Sequence, residues 1–596
     1  MNSFVKALHS IRNEYPFEEK VIIVDQYSIG EQIIEACMKE GLQTINLRYK
    51  TVFDLAIELV EVYTKEPLQM IDEAVGSQFT YLALTRLKED GLLNYFHQME
   101  ITASFSRAIY QTIHTLRMSG YTSKSLSPTK FLTEKKGQDL ILVLNRFEEL
   151  LQQYKMIDSA AIFRMAIQYG KTNDNVIYIL QSNLTLSHLE ESFLSKILPE
   201  AAPKLPLQQV FGITIPERSS LQSIEWGKPT PFSYLYDLDH AVEQADLTVL
   251  TAKTEEMECK NILQKIKITQ SQLDDQVIYY TNGDKYITLF YHLSQKGDIP
   301  FTFGEGIPII LSRPGRLAAG MIKWMKSNYS VSVFLDLLHE GLLDLGEDAP
   351  SQASITRILR DASIGWSKER YISQLNGMIQ SLSERKMTAE DEKLITYYNN
   401  KTQQVSWLMQ WFKKLWKTLP MNTEQMNYKE TLAGMTFIIK EHSKAASALD
   451  KVAKEALLNE MEKVLPFAEG NYDQYRLFEK LEDLLLAIRV LQSSPKPGFL
   501  HVASYYSGLY HSRNHIYIVG LDNRNFPGGS NEDPLLLDTE RENLANGLPL
   551  LAENGQKRLY EMLQLLAQAE GPVTVSYCHF DINENREVSP SHLFLQ

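Results

Sequence analysis

Short runs of consecutive apolar, β-branched residues alternate along this chain with longer stretches whose apolar positions recur at helical spacing. Val21-Ile22-Ile23-Val24 is the first such run, and its unbroken apolarity predicts a strand buried on both faces of a parallel sheet. Residues 3–13 before it and Ser28 to Lys39 after it carry the helical period. Thr44 to Arg48 predicts a second strand, and Val52 to Tyr63 a further helix. Strands and helices alternating at this rhythm predict βαβ units.

From about Asp72 to Met156 the strand signals stop, and long helical segments such as FTYLALTRLKED and GQDLILVLNRFEELLQQY form a helical insertion. NVIYIL, from Asn175 to Leu180, restores a buried strand, and Ser187 to Leu198 a helix. The irregular, proline-containing residues 199–233 read as a connection. A strand at Asp246 to Leu250, a helix at Glu255 to Ile268 and a strand at Gln276 to Tyr280 then open a second α/β unit. A second helix-rich block interrupts it, and FLHVASYY, HIYIVGL and PVTVSYCHF supply its later strands. The expected layout is a first α/β lobe in 1–75 and 157–235 around an insertion at 76–156. A second lobe in 236–325 and 496–596 surrounds an insertion at 326–495.

Composition narrows this picture. A chain of 596 residues exceeds what one core organises, and 44% hydrophobic with 22% charged residues is ordinary globular material. Cys37, Cys259 and Cys578 are too far apart for a disulfide framework or a zinc site with paired ligands, which points to a reducing compartment. No stretch approaches the ~20 apolar residues that span a bilayer, nor the apolar run of a signal peptide, so a cytoplasmic protein with no membrane partner is expected. A net charge of −14 argues against coating nucleic acid with the whole surface, while leaving a local basic channel open.

Two segments carry a resemblance: QVIYYTNGDKYITLFYHLSQKGDIPFTFGEGIPIILSRPGRLAAGMIKWM (Gln276 to Met325) and HVASYYSGLYHSRNHIYIVGLDNRNFPGG (His501 to Gly529). Both resemble the second motor lobe of UvrD-type superfamily-1 helicases. IYIVGLDNRNFPGG followed by EDPLLLDTER is most similar to AddB-type and RecC-like subunits of bacterial helicase–nuclease complexes. The resemblance implies two RecA-like lobes of P-loop-NTPase fold, each with a helical insertion, in a subunit whose own motor is often inactive.

The motor's chemistry is missing from the positions where the resemblance places it. No GxxxxGK[ST] occurs, and helix 3–13 stands where the family's post-loop helix would be, so the preceding strand and loop are expected to be absent. Gln181 and Ser182 stand where an active motor has a magnesium-binding Asp-Glu pair, and neither offers anionic oxygen. Tyr280 stands in place of a phosphate-proximal arginine, and Leu566, in KRLYEMLQLLAQA, in place of the arginine completing the site between lobes. LQQVFGI, Leu207 to Ile213, is faintly similar to a phosphate-sensing motif but reads better as a loop with solvated glutamines. Ser507 and Gly508 resemble remnants of the motif that couples nucleotide to strand.

SPSHLFLQ, Ser589 to Gln596, resembles the approach to the PD-(D/E)XK exonuclease domain of AddB-like proteins, but neither that domain's carboxylates nor its iron–sulfur cysteine cluster is present. Either the sequence stops just before such a nuclease or the protein is a relative without one. Magnesium and an iron–sulfur cluster are expected only there, with no cofactor in these residues. Glu532-Asp533-Pro534 reads as a turn or helix start.

The candidate contacts are for nucleic acid. Arg313 and Arg316 flank a Pro-Gly turn before a helix, suited to holding phosphates; the alternative is a solvated turn with local salt bridges. Lys368 and Arg370 with Trp366 combine charge and a stacking ring, as single-strand grooves do, although Trp366 equally suits a core. Thr51 aligns with a helicase threonine beside the DNA path, or caps the helix that follows. In WLMQWFKKLWK the aromatics favour core or partner packing. His501, His511 and His515 have no spacing for a metal pair or a triad.

The function the resemblance implies is a catalytically inactive, AddB-type scaffold in double-strand-break repair. It would guide a duplex end or single strand toward a nuclease, beside an active AddA/UvrD-type helicase subunit. The competing readings are a protein assembly scaffold without DNA binding and, less well supported, an ATPase with an unorthodox site.

Overall fold

The computed structural model describes the chain apart from residues 1–2, 65–66, 172–174, 182–183, 199–203, 206–231, 233–245, 270, 298, 530–531, 545–547, 568, 570, 583 and 596. The expected connection over 199–233 therefore lies almost entirely outside the described residues, as does LQQVFGI.

The first sheet holds β1 (Glu19–Val24), β2 (Leu47–Thr51), β3 (Val176–Gln181) and β4 (Lys204–Leu205) in the order β2-β1-β3-β4, all parallel. β1 is central, and its apolar run serves both faces by strand alternation. Ile22 and Val24 pack with Phe4, Val5, Ile29 and Ile33 from helices Ser3–Glu14 and Tyr27–Lys39. Val21 and Ile23 pack with Val52, Phe163 and Phe193 from helices Val52–Tyr63, Ser159–Tyr169 and His188–Ile197. The second strand forms three residues later than the sequence pattern suggested. Residues 44–46 make a turn instead, with Asn46 at φ 61° and the Leu47 amide donating to the Thr44 carbonyl at 3.1 Å.

The second sheet is six-stranded and parallel throughout. It contains β5 (Leu247–Ala252), β6 (Gln276–Tyr280), β7 (Phe301–Phe303), β8 (Leu500–Ser504), β9 (His515–Val519) and β10 (Val573–Cys578), in the order β5-β10-β9-β6-β8-β7. Helices Glu255–Thr269 and Gly283–Ser294 cover one face and helix Asn554–Ala567 the other. The chain is thus an α/β protein built on parallel sheets.

The two helical blocks are not separate. The first leaves and rejoins the α/β framework at adjacent points, where the Ile71 amide donates to Ile157 and the Ile157 amide to Gln69, each at 2.9 Å. Its helices then share one apolar core with those of the second block. Phe79 packs edge-on against Phe467 with ring centroids 5.1 Å apart, and Gln78 Nε2 donates to the Phe467 carbonyl at 2.9 Å. Leu535, Leu536 and Leu544, which follow the second sheet's strand β9, also enter this helical core. The buried Lys136–Glu540 pair, 2.7 Å apart, fastens them there. In the aromatic segment Trp407 to Trp416 the three tryptophans are partly buried against this core, with Phe412 stacked on Trp416 and against Tyr371. Among the described residues no helix is long and apolar enough to cross a membrane.

Candidate nucleic-acid interface

The two sheets meet where helix Tyr27–Lys39, which follows β1, packs against residues 505–514, which follow β8. Helix Tyr27–Lys39, after β1, presents Gln32, whose Nε2 donates to the Ser507 carbonyl at 2.6 Å. Lys39 donates to the carbonyls of Ser512 and Asp274, and Arg513 reaches Glu35. Phe4 meets Tyr510 edge-on at 5.1 Å. Gly508 is required by close packing, since a Cβ there would lie 2.6 Å from the Tyr279 ring. Ser507 Oγ closes its own turn by donating to the Ser504 carbonyl at 2.7 Å.

Carboxyls and cations are mixed near this seam, with Lys39, Arg513, Lys557 and Arg558 beside Asp25, Glu561 and Glu305. Burial raises the carboxyl of Asp25 above its usual range, with Lys557 opposing and Glu190 adding to the shift. Burial likewise raises Glu561, with Lys557 and Arg558 opposing and Asp25 adding. Glu305, raised by burial, accepts the Ser504 amide at 3.0 Å and the Tyr280 hydroxyl. Gln181 is buried, and its Oε1 accepts the Asp25 amide at 3.1 Å. Leu566 is buried in the core of the second sheet. Ser182 lies outside the described residues.

The other sequence candidates separate into those turned inward and those left outside. Thr51 caps helix Val52–Tyr63 in a reciprocal capping box with Asp54, which occupies its hydroxyl. Arg313 binds Asp450 through both its amide, at 2.9 Å, and its guanidinium, at 3.2 Å. Arg316 lies 3.6 Å from Glu340. The expectation for Lys368 is corrected: the residue is buried, its ammonium donates to the Leu419 carbonyl at 2.5 Å, and it lies over the rings of Tyr329 and Trp416. The lysine stem follows the apolar interior, so no charge is offered to solvent there.

Trp366 behaves differently. Its side chain is 56% exposed, and the Arg370 guanidinium lies 5.1 Å from its ring centroid. The loop that displays it is held against a second loop by two backbone bonds, Val331 N–H to Gly365 and Ser367 N–H to Asn328. Asn328, Tyr329, Ser363 and Ser367 all adopt positive φ, between 49° and 71°. Left-handed backbone at non-glycine residues costs on the order of 1–2 kcal/mol apiece and persists where surrounding bonds impose it. Trp366 and Arg370 thus form a fixed, outward aromatic–cation pair. The sequence showed the pair but not the strained loops, because nothing in the residue types of Tyr329, Ser363 or Ser367 marks them.

His501 and His511 are buried. His501 hydrogen-bonds Thr302 at 2.9 Å and burial lowers it to about 3; burial likewise lowers His511 to about 4, and its ring donates to the Arg513 carbonyl. Among the described residues no group of three or more His, Cys, Asp or Glu is placed to hold a metal, and the three cysteines are buried and free. No family model matches the chain, and no curated protein matches it.

Proposed function

We propose that the chain is the catalytically silent, helicase-like scaffold of an AddB-type helicase–nuclease subunit, which binds DNA and guides it while a separate UvrD-type subunit supplies movement. On this reading the two parallel sheets are RecA-like lobes. The observation that carries it is the fixed, exposed Trp366–Arg370 pair, which offers one ring face for base stacking and a cation for the backbone. The silence of the motor is supported by Gln181 and Leu566, buried uncharged side chains at the positions where the resemblance places a magnesium carboxylate and an arginine.

The test is binding of a fluorescent duplex with single-stranded tails across a salt series, with and without ATP and magnesium. Affinity should fall as salt rises, because phosphate contacts release counterions, and should ignore ATP. Trp366→Ala should weaken binding by roughly 5- to 150-fold, the worth of about 1–3 kcal/mol for one stacked base. Absence of binding at low salt would refute the proposal.

A protein assembly scaffold without DNA binding is the second reading. It is favoured by the neutralisation of both arginines of the 313–316 turn by Asp450 and Glu340, and by the net charge of −14.

A further inference from the structure

A pocket of about 70 Å³ opens in the helical body, where the two helical blocks meet. Ser77, Gln78, Arg107, Tyr428, Lys480 and Asp483 are among its walls. Lys480 is the unusual member. Its ammonium donates to Gln78 Oε1 at 2.8 Å and lies 3.7 Å from the centroid of the Tyr81 ring, with Tyr428 and Tyr472 beyond at 5.5 and 5.4 Å. It forms no ion pair within 4 Å among the described residues. Ser77 Oγ, in the same pocket, is buried without a hydrogen-bond partner among the described residues.

From this geometry we infer that Lys480 is a site of reversible carbamate formation with carbon dioxide, the product carboxylate being received by Ser77 and Arg107. Carbon dioxide is neutral and small enough for a 70 Å³ pocket. The lone pair of the neutral amine attacks its carbon. The N–C bond forms as one C=O π pair moves onto oxygen, and a proton leaves nitrogen for solvent through the pocket mouth. The carbamate is anionic, and the pocket holds an unengaged hydroxyl donor in Ser77. It also holds the Arg107 guanidinium, whose Nη2 donates to the Asp483 carbonyl at 3.3 Å and whose ion pairs to Glu73 and Asp483 are loose at 3.8 and 3.9 Å.

The amine is prepared for this step. Burial in apolar and aromatic surroundings lowers Lys480 to about 7, against the pull of Asp483 and Glu479. The shift favours the nucleophilic free amine at lower pH than for a solvated lysine. An ordinary lysine, titrating near 10.4, is free amine near neutral pH only to about one part in 2,500. Modification would place an anion among three tyrosine faces that now favour a cation, at the contact joining the two helical blocks.

The test uses the intact protein equilibrated with ¹³C-bicarbonate, treated with triethyloxonium to trap carbamate as a stable ester, and digested for mass spectrometry. Trapped label should sit on Lys480 at least tenfold above the peptide carrying Lys413 and Lys414. That preference should vanish in urea, and the label should fall severalfold in Ser77→Ala. Label on Lys480 equal to that on the surface lysines, or unchanged in Ser77→Ala, overturns the inference.

Discussion

Arg117 and Asp158 make a buried ion pair linking the helical body to the first sheet, and replacing Arg117 by methionine tests what that link is worth. Arg117 lies on helix Ala103–Met118, and Asp158 caps helix Ser159–Tyr169 by accepting the Ala161 amide at 3.0 Å. The guanidinium meets the carboxylate at 2.5 and 3.0 Å and reaches Glu148 at 2.6 Å, with Arg117 and Asp158 only 5% and 3% exposed. Removing one partner of such a buried pair strands the other and costs about 3–5 kcal/mol. That is a factor of roughly 150 to 5000 in the opening equilibrium.

The pH dependence supplies a second signature. Burial alone would raise the Asp158 carboxyl, but the bonds and charge of Arg117 outweigh it and hold the group below its usual range. An acid whose folded value is depressed contributes stability that is present above its unfolded value, near 3.9, and lost as pH falls through the folded value. The wild-type helix Ser159–Tyr169 should therefore keep its protection above about pH 5 and lose it below about 4. In Arg117→Met the deficit should be greatest at neutral pH and shrink in acid, where the stranded carboxyl takes up a proton. Hydrogen exchange at the amides of this helix between about pH 2 and 8 reads both effects. A loss of protection under about 1 kcal/mol at pH 7 would refute the reasoning.

Thr51→Ala should cost about 0.5–2 kcal/mol through loss of the capping box, read as faster exchange in helix Val52–Tyr63, with no change in DNA affinity beyond that loss. Gly315→Ala should lower the melting temperature, since a Cβ there would lie 2.0 Å from the Ile309 carbonyl oxygen, and the backbone shift costs about 1–3 kcal/mol. Lys480 has a folded value near 7, depressed from 10.5, so the unfolded chain holds its proton where the native chain does not. Wild-type stability should accordingly rise between these values by up to about 1.4 kcal/mol per pH unit. Lys480→Met should lack that component in denaturant titrations across the same pH range.

The α/β alternation was legible in the sequence because buried parallel strands are continuous apolar runs. Val21 to Val24 and Gln276 to Tyr280 could hardly be anything else. Helix Val52–Tyr63 was equally plain, since its amphipathic period begins directly after a capping threonine. What escaped was long-range. Periodicity shows that a helix has an apolar face but not which face it meets, so the fusion of the two helical blocks through Phe79 and Phe467 could not be read in advance. Lys368 escaped for a related reason: a lysine beside Trp366 and Arg370 looks solvated until Tyr329 and Trp416 are seen to enclose it. Of the candidate interface, the Trp366–Arg370 pair was visible as neighbouring residues. Its exposure depends on the left-handed turns at Ser363 and Ser367, which local composition does not announce.

The shared helical core also bears on how the protein is made. Gln78 and Phe467 are bonded partners 389 residues apart, and the apolar face of helix Glu73–Glu89 has no complete cover until its distant neighbours exist. At roughly 5–20 residues per second, a ribosome needs on the order of 20–80 seconds to deliver them. Throughout that interval Phe79 and Leu84 belong to a nascent chain that can collapse only on itself, and the same surface is the natural place for a chaperone to hold it.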